Sequence, residues 1–374
     1  TDTKTNNTVF HISLLLTGGI ALWAVIFNES FTVVSNAIYT FLTQKFGWLY
    51  LMAMLFFVFF ILLIAFSKWG RIRLGPDDSR PEYSTVSWFA MLFGAGMGVG
   101  LVFWGISEPI SHYIAPMAGI APGTPEAADF AMKASFVHWG IHPWANYSII
   151  GLALAYFQFR RGTPGLISAV LEPIIGKNKA WLKHLVDILA VFAPVAGVVT
   201  SLGLGVLQIN SGLNYLFGIP TNLIIQIIII AVISVIYIWS AVSGIEKGIK
   251  LISDANLYIA FALMGAAVLV GPKLEMINSF TNTMGSYLND FVQDSLGTNT
   301  YGDNSWVESW RIFYWAWWIA WAPFVGLFIA RISKGRTIRE FCIGEFRFCG
   351  CCLCRHGCEP FRRQHQHYRQ FCRR

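Results

Sequence analysis

Before residue 342 the chain contains no cysteine, and charge is scarce along its whole length. Only 13% of its 374 residues are Asp, Glu, Lys or Arg, against the ~25% of an ordinary soluble domain. A body without thiols excludes a disulfide framework or a thiolate metal site there. The shortage of charge excludes a fully solvated surface. No phosphate-cradling glycine loop, metal-ligand cluster or nucleophile–base pair is legible, so nothing points to an enzyme, a cofactor or a bound metal. No cleavable leader is evident, and the absence of an initial Met leaves room for a few residues upstream.

Apolar residues are what the chain has in abundance: 55% of the total, with 30 Phe, 15 Trp and 34 Gly. Eight stretches of about 20 apolar residues are long enough to cross a bilayer. They lie near 8–28, 47–66, 87–107, 136–158, 186–216, 221–243, 252–272 and 307–330. The expected fold class is therefore an all-α polytopic membrane protein, with the lipid bilayer as a partner.

Lys and Arg set its orientation. Lys68, Arg71, Arg73 and Arg80 follow the second span, and Arg160, Arg161, Lys177, Lys179 and Lys183 follow the fourth. Lys247 and Lys250 follow the sixth, and Arg331, Lys334, Arg336 and Arg339 follow the eighth. The opposite loops hold Lys45, Lys133 and Lys273, with Glu275, Asp290, Asp294 and Asp303 before the last span. This bias places the even-numbered loops and the N-terminus in the cytoplasm. It also accounts for the formal charge of +7 without any nucleic acid.

Two apolar stretches carry grouped indoles, FVHWGIHPWANY near 139 and FYWAWWIAW near 313. At about 100° per residue, Trp139, Trp144 and Tyr147 share an arc of roughly 140°, and Trp317, Trp318 and Trp321 one of roughly 100°. Interfacial belts explain a Trp23 or a Trp48. Indoles grouped in mid-span, with no carboxylate among them, suit a cation held by ring faces, the chemistry that recognises quaternary ammonium groups.

The third span reads GAGMGVGLVFWGISEP over 94–109. Its glycines, each costing a helix about 1 kcal/mol relative to Ala, allow two readings. One is close packing of helices; the other is a discontinuous helix whose carbonyls face a substrate or an ion. Glu108-Pro109 ends this span on the outer side, where a solvated carboxylate and a helix stop are expected. His138 and His142 are expected to hydrogen-bond neighbouring carbonyls rather than carry protons, and Pro143 is expected to kink the fourth span. In the fifth span Thr200 and Ser201 satisfy local backbone or face an ion. Asp187 is expected to be solvated or paired, and residues 163–180 read as a short amphipathic connector.

The last 33 residues differ from the rest. They hold Cys342, Cys349, Cys351, Cys352, Cys354, Cys358 and Cys372 with seven arginines, and they lack helical or strand periodicity. A zinc or redox module using Cys351, Cys354, His356 and Cys358 and a palmitoylated basic tail are two readings. The abrupt change at about 342 reads best as a shifted frame. The expected division is a transmembrane domain over 1–341 and a tail over 342–374.

GMGVGLVFWGISEP, HWGIHPWANY, TSLGLGVLQ and FYWAWWIAWAPFVGLFIARISKGRTIREF together closely resemble the betaine/carnitine/choline transporter family, over about 10–341. The resemblance implies twelve helices, of which about eight are present here. Ten of the twelve form leucine-transporter-like inverted repeats behind two extra N-terminal helices. It implies an aromatic box of Trp139, Trp144, Tyr147 and Trp318, and an inner path of Phe313, Trp317, Trp321 and Phe324. It further implies substrate contacts at Met97, Gly98 and Gly100, and a backbone sodium site at Gly94 and Met97. Coupling to Na+ or H+ and a homotrimer in a bacterial inner membrane are likewise implied.

The chain departs from the family at Pro194 and Val198, where sodium-coupled members carry threonines. Choline carriers of the family resemble GMGxD, with Asp in place of Gly100. Glycine betaine, whose own carboxylate replaces that counter-charge, is therefore the expected substrate, with ectoine, carnitine or choline behind it. The expected activity is secondary transport by alternating access. The rival expectation is a non-transporting remnant of the same family.

Overall fold

Backbone polar groups in a bilayer must be satisfied within the segment, and helices do this for long apolar runs. The structure, a computed structural model, describes residues 7–96, 99–176, 178–244, 248 and 250–346. Its helices are α1 (Asn7–Ile26), α2 (Asn28–Phe66), α3 (Thr85–Gly96), α4 (Val99–Ile114), α5 (Pro125–Trp139), α6 (Ile141–Ala155) and α7 (Ile167–Ile175). They continue with α8 (Ala180–Phe217), α9 (Leu223–Gly244), α10 (Lys250–Val270), α11 (Lys273–Asn289), α12 (Phe291–Leu296) and α13 (Phe313–Ile332). A further helical stretch, α14, covers 338–346.

Six of the eight expected spans are continuous helices long and apolar enough to cross a membrane. Of the other two, the fourth is divided between the shorter helices α5 and α6, and the third comprises α3 and α4 on either side of residues 97–98, which lie outside the described residues. The protein is an all-α, multi-pass membrane protein.

The chain forms two compact units. The first comprises Thr1–Glu82, His142–Val199 and Ser295–Ile343. On α2, Leu51, Met54, Leu55, Val58, Ile61 and Ala65 recur at helical spacing and are buried, as are Val325, Ile329 and Ile332 of α13, which packs along it. Phe56, Phe59, Leu63 and Phe66 of α2 face outward, as a lipid-facing surface requires. At one end of this unit the loop after α2 pairs with the loop after α13. Leu74 N donates to Arg336 O at 2.8 Å, Gly335 N to Leu74 O at 2.8 Å, and Ile338 N to Ile72 O at 2.9 Å. Gly335 has φ +81°, and a Cβ there would stand 2.0 Å from Arg80 O, so only glycine fits this turn. Asp187 accepts from the backbone N and the hydroxyl of Ser168, capping α7 within the predicted connector.

The second unit comprises Tyr83–Ile141, Thr200–Asp294 and Gly344–Arg374. Thr124, Pro125 and Glu126 start α5 by cap, first-turn proline and dipole complement, Thr124 Oγ1 accepting from Ala127 N at 3.2 Å. α4 packs along α5, and α3 along α10. α11 and the start of α12 lie across α5. Phe136 meets Phe280 and Tyr287, and Lys133 Nζ is 2.7 Å from Asp290 and 3.3 Å from Asp294.

The hydrogen bond from Lys133 holds the Asp290 carboxyl below the usual aspartate range, with the Asn289 amide adding to the effect. A carboxyl lowered in the fold contributes stability above its unfolded value, lost as pH falls through about 3.9 and below. Partial exposure keeps the pair weak and salt-sensitive. In Lys133→Met, amide exchange over 273–294 should rise at pH 7; in the unsubstituted protein it should rise only below about pH 4. Unchanged exchange in the variant would show that the pair does not hold this strap.

Candidate functional site

α6 and α13 bring three of the predicted rings together in the first unit. Trp144 stands edge-on to Tyr147 at 6.0 Å, and Tyr147 edge-on to Trp318 at 6.3 Å. Trp318 stacks on Trp317 at 4.7 Å with planes 15° apart, and Tyr314 approaches it at 5.6 Å. Trp144, Tyr147 and Trp318 are all buried.

Two contacts between α6 and α13 fix this arrangement. Asn146 Nδ2 donates to the Trp318 carbonyl at 2.7 Å, bridging the two helices at the site itself. Gly151 and Gly326 let the helices approach: a Cβ on Gly326 would lie 2.9 Å from Gly151 N and 2.8 Å from Ile150 Cγ2. His142 lies 4.9 Å from Trp315 and 2.7 Å from the Ser295 hydroxyl. Its partner is thus a side chain rather than the expected carbonyl.

Of the predicted inner path, Phe313 meets Trp317 at 6.0 Å and Trp321 meets Phe324 at 5.7 Å. Phe313 and Phe324 are exposed. Trp321 sits against α8 where Gly197 makes room, since a Cβ there would be 2.2 Å from Nε1 of Trp321.

Trp139 belongs to the second unit, where the structure corrects three expectations. Glu108 is not solvated but fully buried. It lies nearly two turns inside the end of α4, and the side chains facing it from α5 exclude water. Nε1 of Trp139 donates to its Oε2 at 2.7 Å, and Nδ1 of His138 is 2.6 Å from its Oε1. His138 therefore meets a carboxylate rather than a carbonyl. The break in the fourth span falls at Gly140, between α5 and α6, and not at Pro143. Pro143 lies in the first turn of α6, where a missing N–H costs no hydrogen bond.

Gly94 packs against Ser253 of α10, its Cβ position 2.7 Å from Ser253 Oγ, as the close-packing reading anticipates. Met97 and Gly98 lie outside the described residues, and the backbone of Gly100 belongs to α4. Of the tail, Cys342 is buried in α14, while Cys349, Cys351, Cys352, Cys354, His356, Cys358 and Cys372 lie outside the described residues.

Sequence reasoning missed Asn146 as a bridge and the grouping of Glu108, His112 and His138, whose donor atoms lie within 4.8 Å of one another. Glu108 and His112 at i and i+4 were the available signal.

An all-helical membrane protein with buried aromatic clusters and glycine-mediated helix contacts is what these units define. Residues 8–352 match the BCCT, betaine/carnitine/choline family transporter, and the chain belongs to that family. It is a transporter, not an enzyme. It is 50% identical over 341 residues to the glycine betaine transporter OpuD of Bacillus subtilis, covering 90% of this chain and 67% of that protein. It is 49% identical over 339 residues to a probable glycine betaine transporter of Desulfitobacterium hafniense, covering 90% and 68%. The ectoine/hydroxyectoine transporter of Virgibacillus pantothenticus is 43% identical over 340 residues, covering 91% and 68%. The chain thus spans about two thirds of the length of these relatives.

Proposed function

We propose that the full-length protein carries glycine betaine, or a closely related zwitterionic quaternary ammonium solute, across a bacterial plasma membrane. The observation that carries this reading is the buried meeting of Trp144, Tyr147 and Trp318. Ring faces attract a trimethylammonium group by about 0.5–2 kcal/mol each without requiring a counter-ion. Trp139 is proposed as a further substrate ring, and Trp317 and Trp321, with Phe313 and Phe324, as rings along the inner permeation path. The N-terminus is cytoplasmic on the Lys/Arg bias, and transport proceeds by alternating access. An ion gradient or exchange supplies the drive, and Pro194 and Val198 argue against the family's second sodium site.

Gly100 tunes the substrate. A bare cation entering a dry site benefits from a carboxylate, which Gly100 does not offer, whereas a zwitterion brings its own. Gly100→Asp should therefore make choline a transported substrate and weaken glycine betaine uptake by about tenfold, one decade being about 1.4 kcal/mol. Uptake of both labelled solutes by cells expressing the full-length protein tests this. Choline uptake that stays at background in a well-expressed variant would overturn the charge argument.

A further inference from the structure

A buried carboxylate in a membrane helix is expensive and signals a task, and the function proposed above leaves Glu108 without one. Its two oxygens are divided between consecutive residues. Trp139 donates to Oε2 at 2.7 Å, and His138 lies 2.6 Å from Oε1. His112, one turn further along α4, lies 3.3 Å from the same Oε1 and completes the cluster. All four side chains are buried.

The position on α5 gives this arrangement its meaning. His138 and Trp139 are the last two residues of that helix, and Gly140 then leaves helical geometry at φ −83° and ψ −134°. Beyond the break, Ile141 N donates to the Tyr287 hydroxyl at 3.1 Å. A Cβ at Gly140 would lie 2.7 Å from that hydroxyl. The chain is gripped on both sides of the point where its helix stops. A residue at such a terminus would otherwise be free to swing, and a large indole there needs an anchor to present one fixed face.

Indole Nε1–H only donates, so a carboxylate is its strongest complementary partner. An anion on the N–H also enriches the ring in electron density, which strengthens the face that meets a cation. The donor types of Glu108, His112 and His138 would also suit a divalent cation. However, 2.6 Å between Nδ1 and Oε1 is a hydrogen-bond distance, whereas two ligands of one tetrahedral zinc stand about 3.3 Å apart.

The geometry points to Glu108 as a positioning residue that orients the Trp139 indole at the end of α5 and readies its face for the trimethylammonium group of the substrate. This rests on the function proposed above and on Trp139 being among the rings that meet substrate.

A double-mutant cycle on the purified full-length protein tests it, with glycine betaine binding measured by calorimetry. In Glu108→Gln the indole N–H keeps at most a neutral amide oxygen in place of a carboxylate, so the charge-assisted hydrogen bond is lost and the dissociation constant should rise about tenfold. Trp139→Phe, which keeps a ring and removes the N–H, should cost a similar factor. Combined with Trp139→Phe, Glu108→Gln should add less than about twofold, because coupled residues are not additive. In transport the apparent affinity should fall while the maximal rate per folded molecule is kept.

If Glu108→Gln does not fold, Glu108→Asp serves in its place. It keeps the charge but shortens the reach, and an about threefold loss should likewise vanish when Trp139→Phe is already present. Factors that multiply, or a Glu108 variant that binds like the unsubstituted protein, would overturn the inference. In either case, a Trp318→Ala variant that fails to bind leaves the proposed function standing. An unsubstituted protein that does not bind glycine betaine removes the proposed function itself.

Discussion

Glycine betaine uptake in Trp318→Ala should fall to background in cells that express the full-length protein at normal levels. Trp318 touches three neighbouring rings, with Tyr147 at 6.3 Å, Tyr314 at 5.6 Å and Trp317 at 4.7 Å. Its removal therefore takes away one cation-binding face and loosens the other that depends on it. The loss of about 2 kcal/mol or more corresponds to roughly thirtyfold in affinity. Trp318→Phe keeps a ring, and its loss should be smaller. Uptake retained in the Ala variant with unchanged apparent affinity would exclude Trp318 from the site.

The second large effect is on assembly rather than binding. Gly326→Leu should prevent accumulation of folded protein, read as the monodisperse fraction after extraction in mild detergent. The new side chain would start 2.9 Å from Gly151 N and 2.8 Å from Ile150 Cγ2, and the obstacle is partly backbone that no rotamer change relieves. Overpacking a well-filled core costs about 1–3 kcal/mol even where side chains adjust, and here α6 must also move off α13. Because Asn146 joins the same two helices at Trp318, the ring cluster would be lost with the packing. Gly18→Leu on α1, where a Cβ meets nothing within 4 Å, is the control and should accumulate normally. Normal yield and betaine binding in Gly326→Leu would show that the close approach is dispensable.

The spans were legible because length and apolarity alone decide them, and 8–28, 221–243 and 252–272 correspond closely to α1, α9 and α10. The grouping of Trp144 and Tyr147 was legible from helical period. Their meeting with Trp318 was reachable only through the family resemblance, since the Asn146 bridge joins residues 172 positions apart. Two features stayed hidden for a similar reason. Glu108 looked solvated because its position at the end of a span says nothing of His138 and Trp139, whose approach depends on how α4 packs against α5. The break at Gly140 looked like an ordinary glycine beside a more conspicuous Pro143, because the hydroxyl that holds it, Tyr287, comes from α11. The division into two units, each assembled from separated stretches, has no local signature either.

The most direct test of the central claim is calorimetric binding of glycine betaine to the purified full-length protein, with choline titrated in parallel. Saturable binding of glycine betaine is expected, lost in Trp318→Ala, with choline binding weaker by at least about tenfold. Equal or tighter binding of choline, or betaine binding that survives in Trp318→Ala, would contradict that claim.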